Sequence, residues 1–176
     1  MFKTSDGQII SVGRSWSQDG ITHPSNWHIW TAEYKASLGI IEIVEQSPPD
    51  SRFYKWSQNE DLSYNQTEKS LTDSTDEEGR VTDGLKSTWI NQCKTTANTL
   101  LAPTDWQVIA KAERDRVIDS GVVTYRAAVI SDCTTIEAAI TGAANMTAFK
   151  VLFDIPVDGD GTPTGNAPIH DWPDPL

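Results

Sequence analysis

Few side chains in this sequence combine the type and spacing that chemistry requires. Cys93 and Cys133 are its two cysteines. Each sits among apolar residues at helical spacing, which suits a small buried hydrophobe. A disulfide between them requires two helices to pair at that level. A zinc site needs further Cys or His ligands at short spacing, and none exist. His23, His28 and His170 are too scattered to share one helix face. His28 lies in a Trp-rich, strand-like segment and reads as a structural histidine rather than a base. Asp158-Gly159-Asp160-Gly161 has the look of a calcium loop. An EF-hand phase starting at Asp158 would put Pro163 where glycine must turn, and the bidentate glutamate is missing. An Asp-Gly turn is the simpler reading. Glu77 and Glu78 are neighbours with no hydrophobic pocket to raise a carboxyl pKa. No nucleophile elbow, phosphate-binding loop, dinucleotide fingerprint or H-E-x-x-H occurs. These residues lead to the expectation of a protein that is not an enzyme, with no catalytic residue, cofactor or metal.

The elements that must position these side chains fall into two halves. Over residues 1–71 the sequence reads as β-rich. Ser5-Asp6-Gly7 and Asp19-Gly20 mark hairpin turns. A short helix follows, capped by Thr31 and stopped by Gly39, then a β-branched strand over Ile40–Val44. Arg52–Trp56 and Leu62–Asn65 form a last hairpin. Trp16, Trp27, Trp30 and Trp56 fall in this half and read as its core. Residues 72–83 carry Asp73, Asp76, Glu77, Glu78 and Asp83 against a single Arg80, the composition of an acidic linker.

Residues 84–153 read as a helical module. Leu85, Trp89, Cys93 and Leu100 make one apolar stripe, and residues 105–115 make a second helix. The third runs from about Ser120 to Gly142, with Val122, Tyr125, Val129, Cys133, Ile136 and Ile140 at heptad-like steps. That seam closes an intramolecular hairpin or, alternatively, drives self-association. A short helix over Met146–Phe153 buries Phe149, Leu152 and Phe153. The predicted class is α+β: a small β-rich module, an antiparallel helical hairpin or bundle, and an extended C-terminal arm over 154–176.

Composition narrows the partners. Lys and Arg total 14 against 25 Asp and Glu, a net charge of −11. That balance argues against a surface for nucleic acid or anionic lipid, both of which demand clustered cations. The N-terminus lacks the apolar region of a signal peptide, and no apolar run approaches a membrane span. Synthesis and retention in a cytoplasm, or assembly there into something larger, is the expectation.

The densest local signal is Leu100-Leu101-Ala102-Pro103-Thr104-Asp105-Trp106. Pro103 ends one helix. Thr104 stands three residues before Gln107, the spacing of a capping box. Trp106, Val108 and Ile109 give the new helix its buried side, and Trp106 and Tyr125 read as core residues. With Glu113, Tyr125 and Arg126, this string resembles the helical module of small bacteriophage tail-fibre and tail-assembly proteins of long-tailed marine phages. His23-Pro24-Ser25-Asn26-Trp27, Leu38-Gly39-Ile40, Arg52-Phe53-Tyr54 and Asp171-Trp172-Pro173 are similar to other parts of the same proteins. Ala110 departs from the pattern, standing where relatives usually carry arginine. The resemblance implies a structural motif of Leu100, Leu101, Thr104, Asp105, Trp106, Tyr125 and Arg126. It also implies a non-catalytic place in the virion tail after synthesis in the host cytoplasm, with other phage tail proteins as partners. A tail-fibre assembly chaperone absent from the mature particle is the alternative, and a carbohydrate-binding module using exposed Trp residues is a third reading.

Residues 154–176 hold five prolines, three glycines and five aspartates without Lys or Arg. Ile169, Trp172 and Leu176 are the apolar anchors of this arm and its expected partner contacts. The alternative is that the arm folds back on its own helices.

Overall fold

The computed structural model describes residues 1–44 and 46–176. The chain is α+β and divides into two compact units, Met1–Glu68 and Lys69–Leu176.

In the first unit, β1 (Phe2–Lys3) pairs antiparallel with both β2 (Ile9–Ile10) and β5 (Ile41–Glu42). The strand expected over Ile40–Val44 is thus shorter, although the Ile43 amide still reaches the Met1 carbonyl at 2.9 Å. β3 (Trp16–Gln18) and β4 (Ile21–His23) form a hairpin whose turn residues, Asp19 and Gly20, have φ of 51° and 79°. Two successive positive φ values match the twist of the strands, which is why Asp-Gly stands there. Thr31 Oγ1 accepts the Tyr34 amide and starts α1 (Ala32–Ser37), and Gly39, at φ 69°, ends it. β6 (Tyr54–Gln58) and β7 (Tyr64–Glu68) form the last hairpin.

Strands this short share few ladder hydrogen bonds, so side-chain burial must carry the unit. Ile10, Trp16, Trp27 and Ile40 are buried together, with Phe2, Trp30 and Leu38 packed against them. Trp27 is fully buried and its Nε1 donates to the Arg14 carbonyl at 2.8 Å. Phe2 meets it edge-on at 5.1 Å. Trp56 is the exception to the expected tryptophan core. It is 43% exposed and packs edge-on against Tyr64 across the β6–β7 hairpin.

The second unit opens on a hairpin where a linker is expected: β8 (Ser74–Thr75) pairs with β9 (Val81–Thr82). Asp73, just before it, accepts the Gly84 amide at 2.7 Å and the Ser87 hydroxyl at 2.9 Å. It thereby braces the start of α2 (Leu85–Leu101) from eleven residues upstream of Gly84, while the Leu85 and Lys86 amides donate to the Ser70 and Leu71 carbonyls. Gly84 makes this possible by close approach, since a Cβ there would lie 2.4 Å from the Thr72 carbonyl carbon. Pro103 does end the α-helical ladder, but through a single 3-10 turn, Ala102–Thr104, that leads straight into α3 (Asp105–Arg114). α4 (Ser120–Gly142) returns antiparallel to α2. Lys86 Nζ reaches the Thr141 carbonyl at one end of the pair, and Arg126 reaches the Leu101 carbonyl at the other. Val122, Tyr125, Val129, Ile136 and Ile140 are buried, so the heptad-like seam closes an intramolecular hairpin. α5 (Met146–Val151), capped by Asn145, brings in the fully buried Phe149.

The arm after α5 folds back. Ile169 is 5% exposed and its amide donates to the Leu152 carbonyl at 3.0 Å. Trp172 packs on the cluster of Ala97, Tyr125 and Val129. Ile169 and Trp172, expected as partner contacts, are thus engaged by their own chain, as in the alternative in which the arm folds back. Prolines lower the entropy lost on ordering the arm, and its own α2–α4 hairpin offers the apolar surface that takes these side chains out of water. Leu176, by contrast, remains 69% exposed. The expected Asp-Gly turn is held by the Asp158 carboxylate, which accepts the Asp160 and Thr162 amides of its own loop.

Candidate functional site

Most of the singled-out motif meets around one guanidinium. Arg126, on the second turn of α4, donates from Nη1 to the Leu101 carbonyl at 2.9 Å, to Thr104 Oγ1 at 2.7 Å and to Asp105 Oδ1 at 2.8 Å. Thr104 Oγ1 in turn donates to the same Leu101 carbonyl. The 3-10 turn leaves that carbonyl without an α-helical partner, and a positive donor from the facing helix supplies one. Leu100 and Leu101 pack beneath, against the cluster containing Tyr125. The expected capping box does not form: the Thr104 side chain makes no cap bond, because it is engaged with Leu101 and Arg126. Gln107 works elsewhere, its Oε1 accepting the Asp119 amide and closing the loop between α3 and α4.

Tyr125 is buried as expected, but Trp106 is not a core residue. It is 52% exposed, with Arg116 stacked 5.3 Å over its ring, and Val108 and Ile109 are exposed too. Ala110 is the buried residue of α3. Its small side chain is 2% exposed. The large apolar residues of α3 face away from the rest of the unit. Val117, in the loop after α3, and Val123 and Ile130 on α4 are exposed as well.

Reactive side chains come together at the middle of the hairpin. Cys93 Sγ on α2 lies 3.5 Å from Cys133 Sγ on α4, and Cys133 Sγ lies 3.3 Å from Glu137 Oε1 one helical turn on. Lys94 Nζ is 3.8 Å from the other Glu137 oxygen. Burial raises both thiol pKa values, that of Cys133 to about 12, with its hydrogen bonds to Cys93 and Glu137 acting in the same direction. The two thiols are thus protonated at neutral pH. Cys93 also borders a cavity of about 390 Å³ shared with Trp89, Gln92, Ile169, His170 and Trp172. Reading ligands by short sequence spacing misses this group, because Cys93 and Cys133 are forty residues apart. The findable signal is the i, i+4 pair Cys133 and Glu137 on a helix that must pair antiparallel with the helix of Cys93.

No protein-family model, curated protein or solved structure matches the chain. Function must therefore be read from the residues themselves. His28 Nδ1 contacts the Ser25 carbonyl at 3.2 Å, within its own turn. His23 stacks on Trp16 at 4.1 Å in the aromatic core. His170 is the histidine that shares a cavity with a thiol.

Proposed function

We propose that the chain is a non-enzymatic structural component of a bacteriophage tail, a tail-fibre or baseplate-peripheral subunit that acts through contacts with other tail proteins. The resemblance of the Leu100–Arg126 string to phage tail proteins supports this reading. The observation that carries it is the outward apolar side of α3. Trp106 and Ile109 stand one turn apart and exposed, in a chain whose net charge is −11. A large uncovered ring is costly to keep in water and is the residue type most enriched at interface hot spots. Arg116 holds the Trp106 ring from one side, which lowers the entropy lost when a partner covers the other. Residence in the virion tail after synthesis in the host cytoplasm belongs to the same proposal.

Quantitative mass spectrometry of purified particles tests it. Stoichiometric presence, lost on Trp106→Asp while the free variant keeps its thermal melt, supports a tail subunit seated through α3. Presence during assembly but absence from finished particles replaces it with the chaperone reading. Absence from both ends the phage assignment.

A further inference from the structure

The contact between Cys93, Cys133 and Glu137 has the dimensions of a coordination shell. Their candidate ligand atoms all lie within 4.8 Å of one another. The Cys93–Cys133 and Cys133–Glu137 separations are 3.5 Å and 3.3 Å. Zinc–sulfur bonds near 2.3 Å and zinc–oxygen bonds near 2.1 Å set tetrahedral ligand edges of about 3.8 Å between sulfurs and about 3.6 Å between sulfur and oxygen. The Cys93–Cys133 and Cys133–Glu137 edges are thus each about 0.3 Å short of such a frame, and the Cys93–Glu137 edge, within 4.8 Å, closes by rotation of the flexible Glu137 side chain. Cys133 and Glu137 share one face of α4 at i, i+4, and Cys93 approaches from the facing helix, so the hairpin holds the ligands in place.

Charge and access agree with that geometry. Two thiolates and one carboxylate around a divalent ion leave a net charge of −1, and the Lys94 ammonium, 3.8 Å from Glu137, balances it. Cys93 is buried, whereas Cys133 and Glu137 are half-buried, which leaves a solvent side for a fourth ligand and a path for the ion.

We propose that Cys93, Cys133 and Glu137 bind one thiophilic divalent cation, zinc by chemical class, with water at the fourth position. Each thiol gives up its proton to solvent on ligation, so two protons leave for each ion bound, and affinity falls with acid. The bound ion ties α2 to α4 and stabilises the helical unit by mass action.

The test uses the full chain, reduced and stripped of metal, titrated with cobalt(II) and then zinc(II). The expected result is thiolate-to-cobalt charge-transfer absorption with tetrahedral d–d bands, saturating at one equivalent, bleached by zinc and accompanied by a higher Tm. Cys133→Ser should abolish the spectrum. Glu137→Gln keeps both thiols and the helix; it should weaken binding by at least about tenfold with its metal-free melt unchanged. A reduced, folded chain that gives no cobalt spectrum overturns the proposal. So does a spectrum that survives Cys133→Ser, or an unchanged affinity in Glu137→Gln. None of these outcomes depends on particle incorporation.

Discussion

Among the described residues of Met1–Glu68, no strand is longer than five residues, and the buried centre is a group of aromatic and β-branched side chains around Trp27. Lys69–Leu176 instead rests on two antiparallel helices of 17 and 23 residues, with the arm laid against them. In the first unit the backbone supplies little cooperativity, so stability concentrates in a few rings and each is hard to replace. In the second, long helices repeat the same environment every turn. That regularity leaves room for polar side chains with particular tasks: Arg126 at one end of the hairpin, the thiols at its middle and Asp73 at its start.

The sharpest way to break this contrast is Trp27→Ala. Removing a fully buried Trp costs about 3–5 kcal/mol, a large share of what a unit of this size possesses. Near-UV dichroism of the full chain should lose much of its aromatic signal while the far-UV helical signal persists. A melt close to that of the parent would show that the rings do not carry the first unit.

Arg126→Ala probes the helical unit at the guanidinium that ties α4 to the end of α2 and the start of α3. It removes the donor shared by the Leu101 carbonyl, Thr104 Oγ1 and Asp105 Oδ1 and should destabilise by roughly 1.5–3 kcal/mol, the range for hydrogen bonds to a charged group. Urea unfolding followed by helical dichroism measures it. Arg126→Lys should recover only part of the loss, because its shorter side chain must carry an ammonium to the same three acceptors that Nη1 reaches.

Trp106→Ala should behave in the opposite way to Trp27→Ala. Its ring is half in water, so stability should change by less than about 1 kcal/mol, while the proposed tail role requires that incorporation into particles fall. A large loss of stability would return Trp106 to the core.

The smallest effect concerns Asp73. The Gly84 amide and then the Ser87 hydroxyl hold its carboxyl below the ordinary value of 3.8. The ionised form is therefore favoured by folding. Its stabilisation is fully present above that ordinary value and disappears as pH falls through the lower folded value. Asp73→Ala should melt below the parent at neutral pH, and the gap should close in acid. Melts across the acid limb read this directly.

Local signals in the sequence identify much of the fold. The Asp19-Gly20 turn, the Thr31 cap, the Gly39 stop and the α4 seam depend on neighbours within a few residues, and all appear in the structure. What the sequence does not disclose depends on partners far along the chain. Periodicity marks Trp106, Val108 and Ile109 as apolar on α3, but not whether their own chain covers them. The acidic stretch before α2 reads as a linker because the bond that ties it to the helix start, from the Gly84 amide to Asp73, spans a hairpin. Proline content describes how the arm is stiffened, not the groove in which Ile169 and Trp172 settle. The Cys93–Cys133–Glu137 group becomes visible only once the α2–α4 register is known.

Gly84 carries a consequence at the level of heredity. Its backbone, at φ −76°, is one that any residue can adopt, so conformation imposes no choice there. The obstacle is the Thr72 backbone, which occupies the space of any Cβ and cannot rotate away as a flexible side chain would. A saturation library scored for folded full-length protein should therefore retain only synonymous codons at 84. Gly142, at the end of α4, has nothing within 4 Å of the position a Cβ would take and should accept alanine freely.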